Sequence, residues 1–229
     1  MTYSAIAYIH NDFREKFGIP RQSGLIDQVT STIIFEEKYR NADAVRGLEE
    51  FSHLWLIWEF SKGFASRGET GGFSATVRPP RLGGNERKGV WATRSPNRPN
   101  PIGLSCVEIV SVEPNTSDGP VITVRGADLM DGTPILDIKP YIAYADARPE
   151  AACSYASAAP DMNTLKVEGT SLLPDTDEKE AIIAVLSGDP RPGYQEDEER
   201  EYGLSYGSYN IRFRVSSDVL TITQVTEIT

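Results

Sequence analysis

The stretch His53-Leu-Trp-Leu-Ile-Trp-Glu-Phe60 is apolar without interruption from Leu54 to Trp58, and it reads as a strand buried in a core. Working outward, Asn41-Ala-Asp-Ala-Val-Arg-Gly-Leu-Glu-Glu-Phe51 predicts about two helical turns. Before it, Tyr3 to Ile9 and Ser31 to Tyr39 carry the alternation and β-branched content of strands. Downstream, Gly89 to Thr93, Gly103 to Val112, Val121 to Gly126 and Pro134 to Pro140 read as further strands separated by turn-rich segments. Many short strands with few helices point to a barrel or a sandwich. From about Ala147 the texture changes to Ala, Ser, Pro and Asp, which places a domain boundary there and divides the chain into 1–147 and 148–229. In the second part, Asp175 or Thr176 is placed to cap a helix through Glu180–Leu186 that stops at Gly188-Asp-Pro190. Ser208–Val215 and Val219–Val225 then alternate around Ser216-Ser-Asp218, so a hairpin completes a small α+β unit.

The 229 residues are 39% hydrophobic, enough for a buried core. No apolar run approaches the roughly 20 residues of a membrane helix, and the first residues lack the basic region of a signal peptide, so a cytoplasmic protein is expected. Cys106, Cys153, His10 and His53 are the only cysteines and histidines. Neither a disulfide framework nor a metal site is therefore spelled out, and Cys106 reads as a small core residue and His53 as a hydrogen-bonded core-edge one. Net charge is −10, which argues against indiscriminate nucleic-acid binding, but the distribution is uneven: −1 over residues 1–140 and −9 over 141–229. Between Arg67 and Arg98 the sign reverses to +5, and so many arginines in one stretch point to an anionic ligand.

Two segments carry candidate chemistry. Arg94-Ser-Pro-Asn-Arg-Pro-Asn-Pro101 fixes φ at three prolines and pre-organises two guanidinium groups and two carboxamides, a stiff loop of polar donors. Gly126-Ala-Asp-Leu-Met-Asp-Gly-Thr-Pro-Ile-Leu-Asp-Ile-Lys-Pro-Tyr141 sets Asp128 and Asp131 beside a turn at Asp131-Gly132. These carboxylates suit hydrogen bonds from a ribose or a base, or proton transfer, although turn capping by Asp131 is the more ordinary role. Asp137 and Lys139 alternate along an extended run, as if to pair across a sheet. No P-loop or dinucleotide fingerprint is present, since Gly68-Glu-Thr-Gly-Gly72 and Gly83-Gly84 have the wrong spacing. A nucleotide-like cofactor would need a non-Rossmann site.

Taken together, Lys16-Phe-Gly-Ile-Pro-Arg-Gln22, Ala44-Val-Arg-Gly-Leu-Glu49, Phe51-Ser-His-Leu-Trp55, Arg78-Pro-Pro-Arg-Leu-Gly-Gly-Asn85, the Gly89–Ser105 run, Asp128-Leu-Met-Asp-Gly-Thr-Pro134, Asp137-Ile-Lys-Pro-Tyr141 and Asp189-Pro-Arg-Pro192 are specific. By these motifs nearly the whole chain resembles the TsaA-like or TrmO family, tRNA methyltransferases that use S-adenosylmethionine to methylate N6-threonylcarbamoyladenosine beside the anticodon. The resemblance implies a mainly β protein: a single-sheeted β-barrel that binds the cofactor, a small α+β C-terminal domain, and a homodimer with cofactor sites near the subunit contact. Carried over by motif, the cofactor-binding residues are Pro20, Arg21, Gln22, Ser61, Lys62, Arg94, Leu104, Asp128, Leu129, Met130, Asp131, Gly132 and Thr133.

The accepting nitrogen lies between a purine and a carbonyl and must lose a proton as it attacks the methyl group, so in-line placement can supply much of the rate and no metal is required. Asp131 or Tyr141 is the expected proton acceptor. Arg78, Arg81, Arg98 and Asn100 are expected to hold tRNA phosphates or the threonyl carboxylate. Two other readings compete: a non-catalytic RNA-binding or regulatory module using the same basic loop, and, ranked last, a hydrolase built on Asp128 and Asp131.

Overall fold

The structure, a computed structural model, describes residues 3–60, 74–162, 164–191 and 197–228. Its strands are β1 (Ala7–His10), β2 (Thr30–Phe35), β3 (His53–Glu59), β4 (Thr76–Val77), β5 (Lys88–Gly89), β6 (Ile102–Thr116), β7 (Gly119–Arg125), β8 (Thr133–Pro140), β9 (Lys166–Glu168), β10 (Tyr202–Tyr206), β11 (Tyr209–Ser216) and β12 (Val219–Glu227). The α-helices are α1 (Ala143–Asp146) and α2 (Glu178–Ser187).

Six strands close into an antiparallel barrel in the order β1-β2-β7-β6-β3-β8. Closure leaves no sheet edge unpaired, and it settles the choice between barrel and sandwich. Alternation along each strand fills the interior: Ala7 and Ile9 on β1, Ile33 and Phe35 on β2, Leu54, Leu56 and Trp58 on β3, Val107 on β6, Ile122 and Val124 on β7, and Ile135 on β8 are all buried. β3, the stretch quoted first, is thus a barrel stave flanked by β6 and β8, with Trp55 and Ile57 facing outward.

Register distinguishes the two barrel ends. Pairs Ile9–Thr133, Thr30–Arg125 and Glu59–Ile102 lie at one mouth, and Ala7–Phe35, Leu54–Pro140 and Thr116–Gly119 at the other. The first mouth therefore receives the β1–β2 loop, the segment leading into β6, and the β7–β8 turn.

Downstream, β10-β11-β12-β9 form a second sheet, antiparallel except where β9 joins β12, and α2 packs on it. Its core joins Ile182, Val185 and Leu186 of α2 to Leu204, Tyr206, Ile211, Phe213, Val215, Leu220 and Ile222. It also takes in Phe13, Ile26 and Val29 from the β1–β2 loop. The Phe13 ring meets Tyr206 edge-on at 5.2 Å, the two residues form an antiparallel bridge, and Gly207 N donates to Asp12 O at 2.9 Å.

Local expectations needed correction in several places. The helix over Asn41–Phe51 is two short 3₁₀ turns, Ala42–Val45 and Leu48–Glu50, because Gly47 between them adopts φ +84°, a left-handed conformation that ends a helix. Asn41 does cap the first, its side chain accepting from Asp43 N at 2.9 Å. The strand over Gly89–Thr93 stops after Gly89 and gives way to a 3₁₀ turn at Val90–Ala92. Neither Asp175 nor Thr176 is the N-cap of α2; Asp177 occupies that position with no side-chain cap bond, so the helix is held by its buried face. His53 is exposed, its Nδ1 2.9 Å from Ser52 Oγ, and Asp137 pairs with Lys139 along one strand at 2.8 Å rather than across the sheet. Cys106 is half-buried on the outward face of β6, where burial pushes its thiol pKa up and keeps it unreactive.

Because Phe13 ties the barrel to the second core, Phe13→Ala is expected to cost about 3–5 kcal/mol of stability, read by urea unfolding of the full chain. A cost below about 1 kcal/mol would show that the bridge is not a structural tie.

Candidate active site

Three loops from distant parts of the sequence meet at the first barrel mouth. The β1–β2 loop carries Pro20, which is buried, Arg21, which is exposed, and Gln22. Gly24 N donates to Gly126 O at 2.8 Å, and Gly126 N donates to Val29 O at 2.9 Å, so this loop is stitched to the start of the β7–β8 turn. The third loop arrives through Arg94, whose Nη1 donates to Gln22 Oε1 at 2.6 Å, while Gln22 Nε2 donates to Arg21 O at 2.5 Å. Gln22, Arg94 and the Asp128–Thr133 segment, far apart in sequence, thus share one mouth.

The β7–β8 segment is tightly formed. Thr133 N and Oγ1 both donate to Met130 O, at 3.1 and 2.7 Å, closing a four-residue turn with Gly132 at φ +72°, the left-handed third position that favours glycine. Leu129 is buried in the barrel core and Thr133 is buried beside it. Asn11 threads the mouth: its Nδ2 donates to Leu129 O at 2.9 Å and to Ser31 Oγ at 3.2 Å, and its Oδ1 accepts from Phe13 N at 2.9 Å.

Two carboxylates occupy different environments. Asp128 is half-buried, accepting from the buried Ser105 Oγ at 2.5 Å, and desolvation raises its pKa while the Ser105 hydroxyl, nearby backbone amides and the charge of Arg94 oppose that rise. Asp131 lies at the rim. It accepts from Asn11 N at 3.3 Å, and its Oδ1 is 3.2 Å from His10 Nδ1. A carboxylate only accepts, so Nδ1 is the donor in this contact. Among the described residues, no three His, Cys, Asp or Glu side chains are grouped to hold a metal ion.

Other expected site residues fall elsewhere. Tyr141 follows the far end of β8, where it packs near Trp55 and His53 with ring centroids 6.0 and 6.3 Å away. With eight residues of β8 between them, Asp131 and Tyr141 stand about 25 Å apart and do not form one centre within a subunit. Leu104 points outward from β6, 51% exposed and beside Ile102 and Ile57. Ser61 and Lys62 lie outside the described residues. Arg98 turns inward: Nη1 donates to Thr93 O at 2.9 Å and Ser95 O at 3.1 Å, and its guanidinium lies 5.6 Å from the Trp91 ring. Arg81 Nη2 donates to Ala158 O, and Arg78 and Asn100 are exposed.

Sequence reasoning passed over His10, Asn11, Trp58 and Ser105. His10 and Asn11 follow β1 directly, and a polar pair closing a strand beside a loop already marked as functional was the available signal. Nothing local distinguishes Ser105, whose partner is 23 residues away.

Comparison with known proteins agrees with this architecture. Residues 8–147 match the family model for the tRNA-methyltransferase O N-terminal domain, and residues 161–228 match the TrmO C-terminal domain. The chain is 41% identical over 224 residues to the tRNA (adenine(37)-N6)-methyltransferase of Escherichia coli K12, covering 93% of each. It is 38% identical over 217 residues, 89% of each chain, to a Pseudomonas aeruginosa protein whose name includes "S-adenosylmethionine-dependent methyltransferase". A crystal structure of TrmO from Pseudomonas aeruginosa superposes with a TM-score of 0.75 at 30% identity, covering 99% of this chain and 98% of that one. With both family models matched in order on one closed barrel and its companion sheet, the chain belongs to the TrmO family of tRNA methyltransferases.

Proposed function

We propose that the chain transfers a methyl group from S-adenosylmethionine to N6 of threonylcarbamoyladenosine at tRNA position 37, beside the anticodon. The observation that carries this reading is the convergence of Gln22, Arg94, Asp128 and Asp131 at one mouth of a barrel with no Rossmann fingerprint. The mouth fits the donor molecule: a half-buried carboxylate suits its hydroxyl or ammonium groups, and Arg94 with Gln22 suits its carboxylate and base. When bound, S-adenosylmethionine supplies an electrophilic methyl carbon on a sulfonium.

The chain's own residues do the rest. Loops braced by Gly24–Gly126 and Asn11–Leu129 hydrogen bonds hold the donor pocket against the acceptor, and that fixed placement is the main source of rate. As the new C–N bond forms, the nitrogen's proton must leave. Asp131 at the rim, hydrogen-bonded to His10, is the group placed to take it. Tyr141, at the opposite end of the barrel, is given no part in proton transfer within the same subunit. Arg78, Arg81 and Asn100 offer the exposed polar surface for the tRNA, while Arg98 serves by holding the proline-pinned loop in shape. A tRNA substrate places the work in the cytoplasm.

The outward face of β3 and β6, with Ile57, Ile102 and Leu104 adjacent, supports a homodimer that covers this apolar surface and brings Leu104 beside a cofactor site. Within each subunit, residues 1–147 form the cofactor-binding unit and 148–229 the α+β unit that braces its first loop.

Nucleoside mass spectrometry of threonylcarbamoyladenosine-containing tRNA incubated with the protein and S-adenosylmethionine is expected to show one added methyl on that nucleoside, and an unchanged spectrum overturns the reading. Asp131→Asn is expected to lower kcat by about a hundredfold with donor affinity within about threefold of the parent, measured by single-turnover methylation and calorimetry. Leu104→Asp is expected to move the sedimentation coefficient from dimer to monomer.

A further inference from the structure

Ser105 is a polar residue in the interior alternation of β6, where its neighbours Gly103 and Val107 also point inward, and it is 1% exposed. Its hydroxyl has two partners. Trp58 Nε1 donates to Ser105 Oγ at 3.0 Å, and Ser105 Oγ donates to Asp128 Oδ1 at 2.5 Å. With the indole N–H filling one lone-pair direction, the hydroxyl hydrogen has a single direction left, toward Asp128. Trp58 is itself fixed. A Cβ on Gly103 would stand 2.2 Å from the indole, so the ring occupies space that only glycine leaves open there, and the Phe60 ring packs tilted against it with centroids 4.1 Å apart.

This chain of contacts ends on a carboxylate that also accepts from the backbone amides of Ser23 and of Asp128 itself, at the junction of two mouth loops. Among the described residues Asp128 makes no ion pair within 4.0 Å, so its desolvation is offset by hydrogen bonds and by the more distant charge of Arg94. The Met130–Thr133 turn beside it is closed by Thr133 without its help, so this carboxylate is not needed to cap that turn. The charge that acts on it is that of Arg94, already at the mouth through Gln22.

We propose that Ser105, oriented by Trp58, is a positioning residue that fixes the Asp128 carboxylate to accept hydrogen bonds from the ribose hydroxyls or the ammonium group of the methyl donor. The inference rests on the S-adenosylmethionine reading above. Ser105 touches no reacting atom in this scheme; it acts through Asp128. Its hydroxyl also opposes the rise that burial imposes on the Asp128 pKa, so it holds the carboxyl in the ionised form that can accept from both hydroxyls or from an ammonium. The sign follows: removing the hydroxyl raises the Asp128 pKa further, and donor binding is lost at a higher pH than in the parent.

The test is calorimetric titration of the full-length protein with S-adenosylmethionine and with 5′-methylthioadenosine, across a pH series, for the parent, Ser105→Ala and Ser105→Thr. Ser105→Ala is expected to weaken S-adenosylmethionine binding about tenfold near neutral pH, equivalent to loss of one charge-assisted hydrogen bond of about 1.4 kcal/mol. Its acid limb should move to higher pH, and Ser105→Thr, which keeps the hydroxyl, should stay within about threefold of the parent with an unmoved limb. A loss shared by methylthioadenosine assigns the ribose hydroxyls, and a loss confined to S-adenosylmethionine assigns the ammonium. Equal affinity and an unshifted pH limb in Ser105→Ala overturn the inference while leaving the function standing, and so does a threonine variant as weak as the alanine one. Absence of any donor binding by the parent overturns the functional reading itself.

Discussion

Asn11 and Phe13 hold two apolar cores and one polar mouth in a single arrangement. Asn11 spends its carboxamide on the β7–β8 loop, on β2 and on its own loop at once, reaching Leu129 O, Ser31 Oγ and Phe13 N. Phe13, two residues on, is buried in the second core against Tyr206. Leaving β1, the chain is therefore committed to both units before it reaches Pro20-Arg-Gln22. The loop that presents Gln22 to Arg94 has little freedom left, because its ends are fixed by the barrel and its middle by the C-terminal sheet. The α+β unit, which carries most of the chain's net negative charge, works here as a brace for the β1–β2 loop.

That brace gives the barrel mouth a construction unlike that of a Gly-rich nucleotide fold. In a doubly wound sheet, a helix N-terminus and a tight glycine turn meet the ligand. Here, among the described residues, the mouth has no α-helix in its three loops, and it has a tight glycine turn at Gly132. Its polar groups come from side chains set by interlocking loops, and the barrel supplies rigid strand ends from which the loops depart. Depth then separates the two carboxylates. Asp128 sits where burial lifts its pKa and Ser105 restrains it, and Asp131 sits at the rim beside His10. The two side chains are chemically identical, so the difference between them is one of environment alone.

Much of this was legible along the chain. The unbroken apolar run of β3, the alternation of β11 and β12, and the Asp131-Gly132 turn depend on neighbours a few residues away, and they appear close to where the pattern puts them. β9 and β10 were not foreseen: each is short and takes its identity from a partner strand rather than from its own pattern. The Asn41–Phe51 helix failed for a local reason, since Gly47 takes a conformation no helix continues through.

The candidate site was legible as residue types but not as a place. Sequence determined the class of fold, the family, the stiffness of the Arg94–Pro101 loop and the presence of carboxylates flanking a turn, because strand alternation, proline geometry and motif spacing are properties of the chain itself. Tertiary structure alone decided which of those groups meet. It brought Gln22 to Arg94, 72 residues away, and Ser105 to Asp128, turned Arg98 back onto its own loop, and put Tyr141 at the end of the barrel opposite Asp131. The physical reason is closure: once six strands form a ring, register fixes which loop arrives at which mouth, and no local signal encodes that choice.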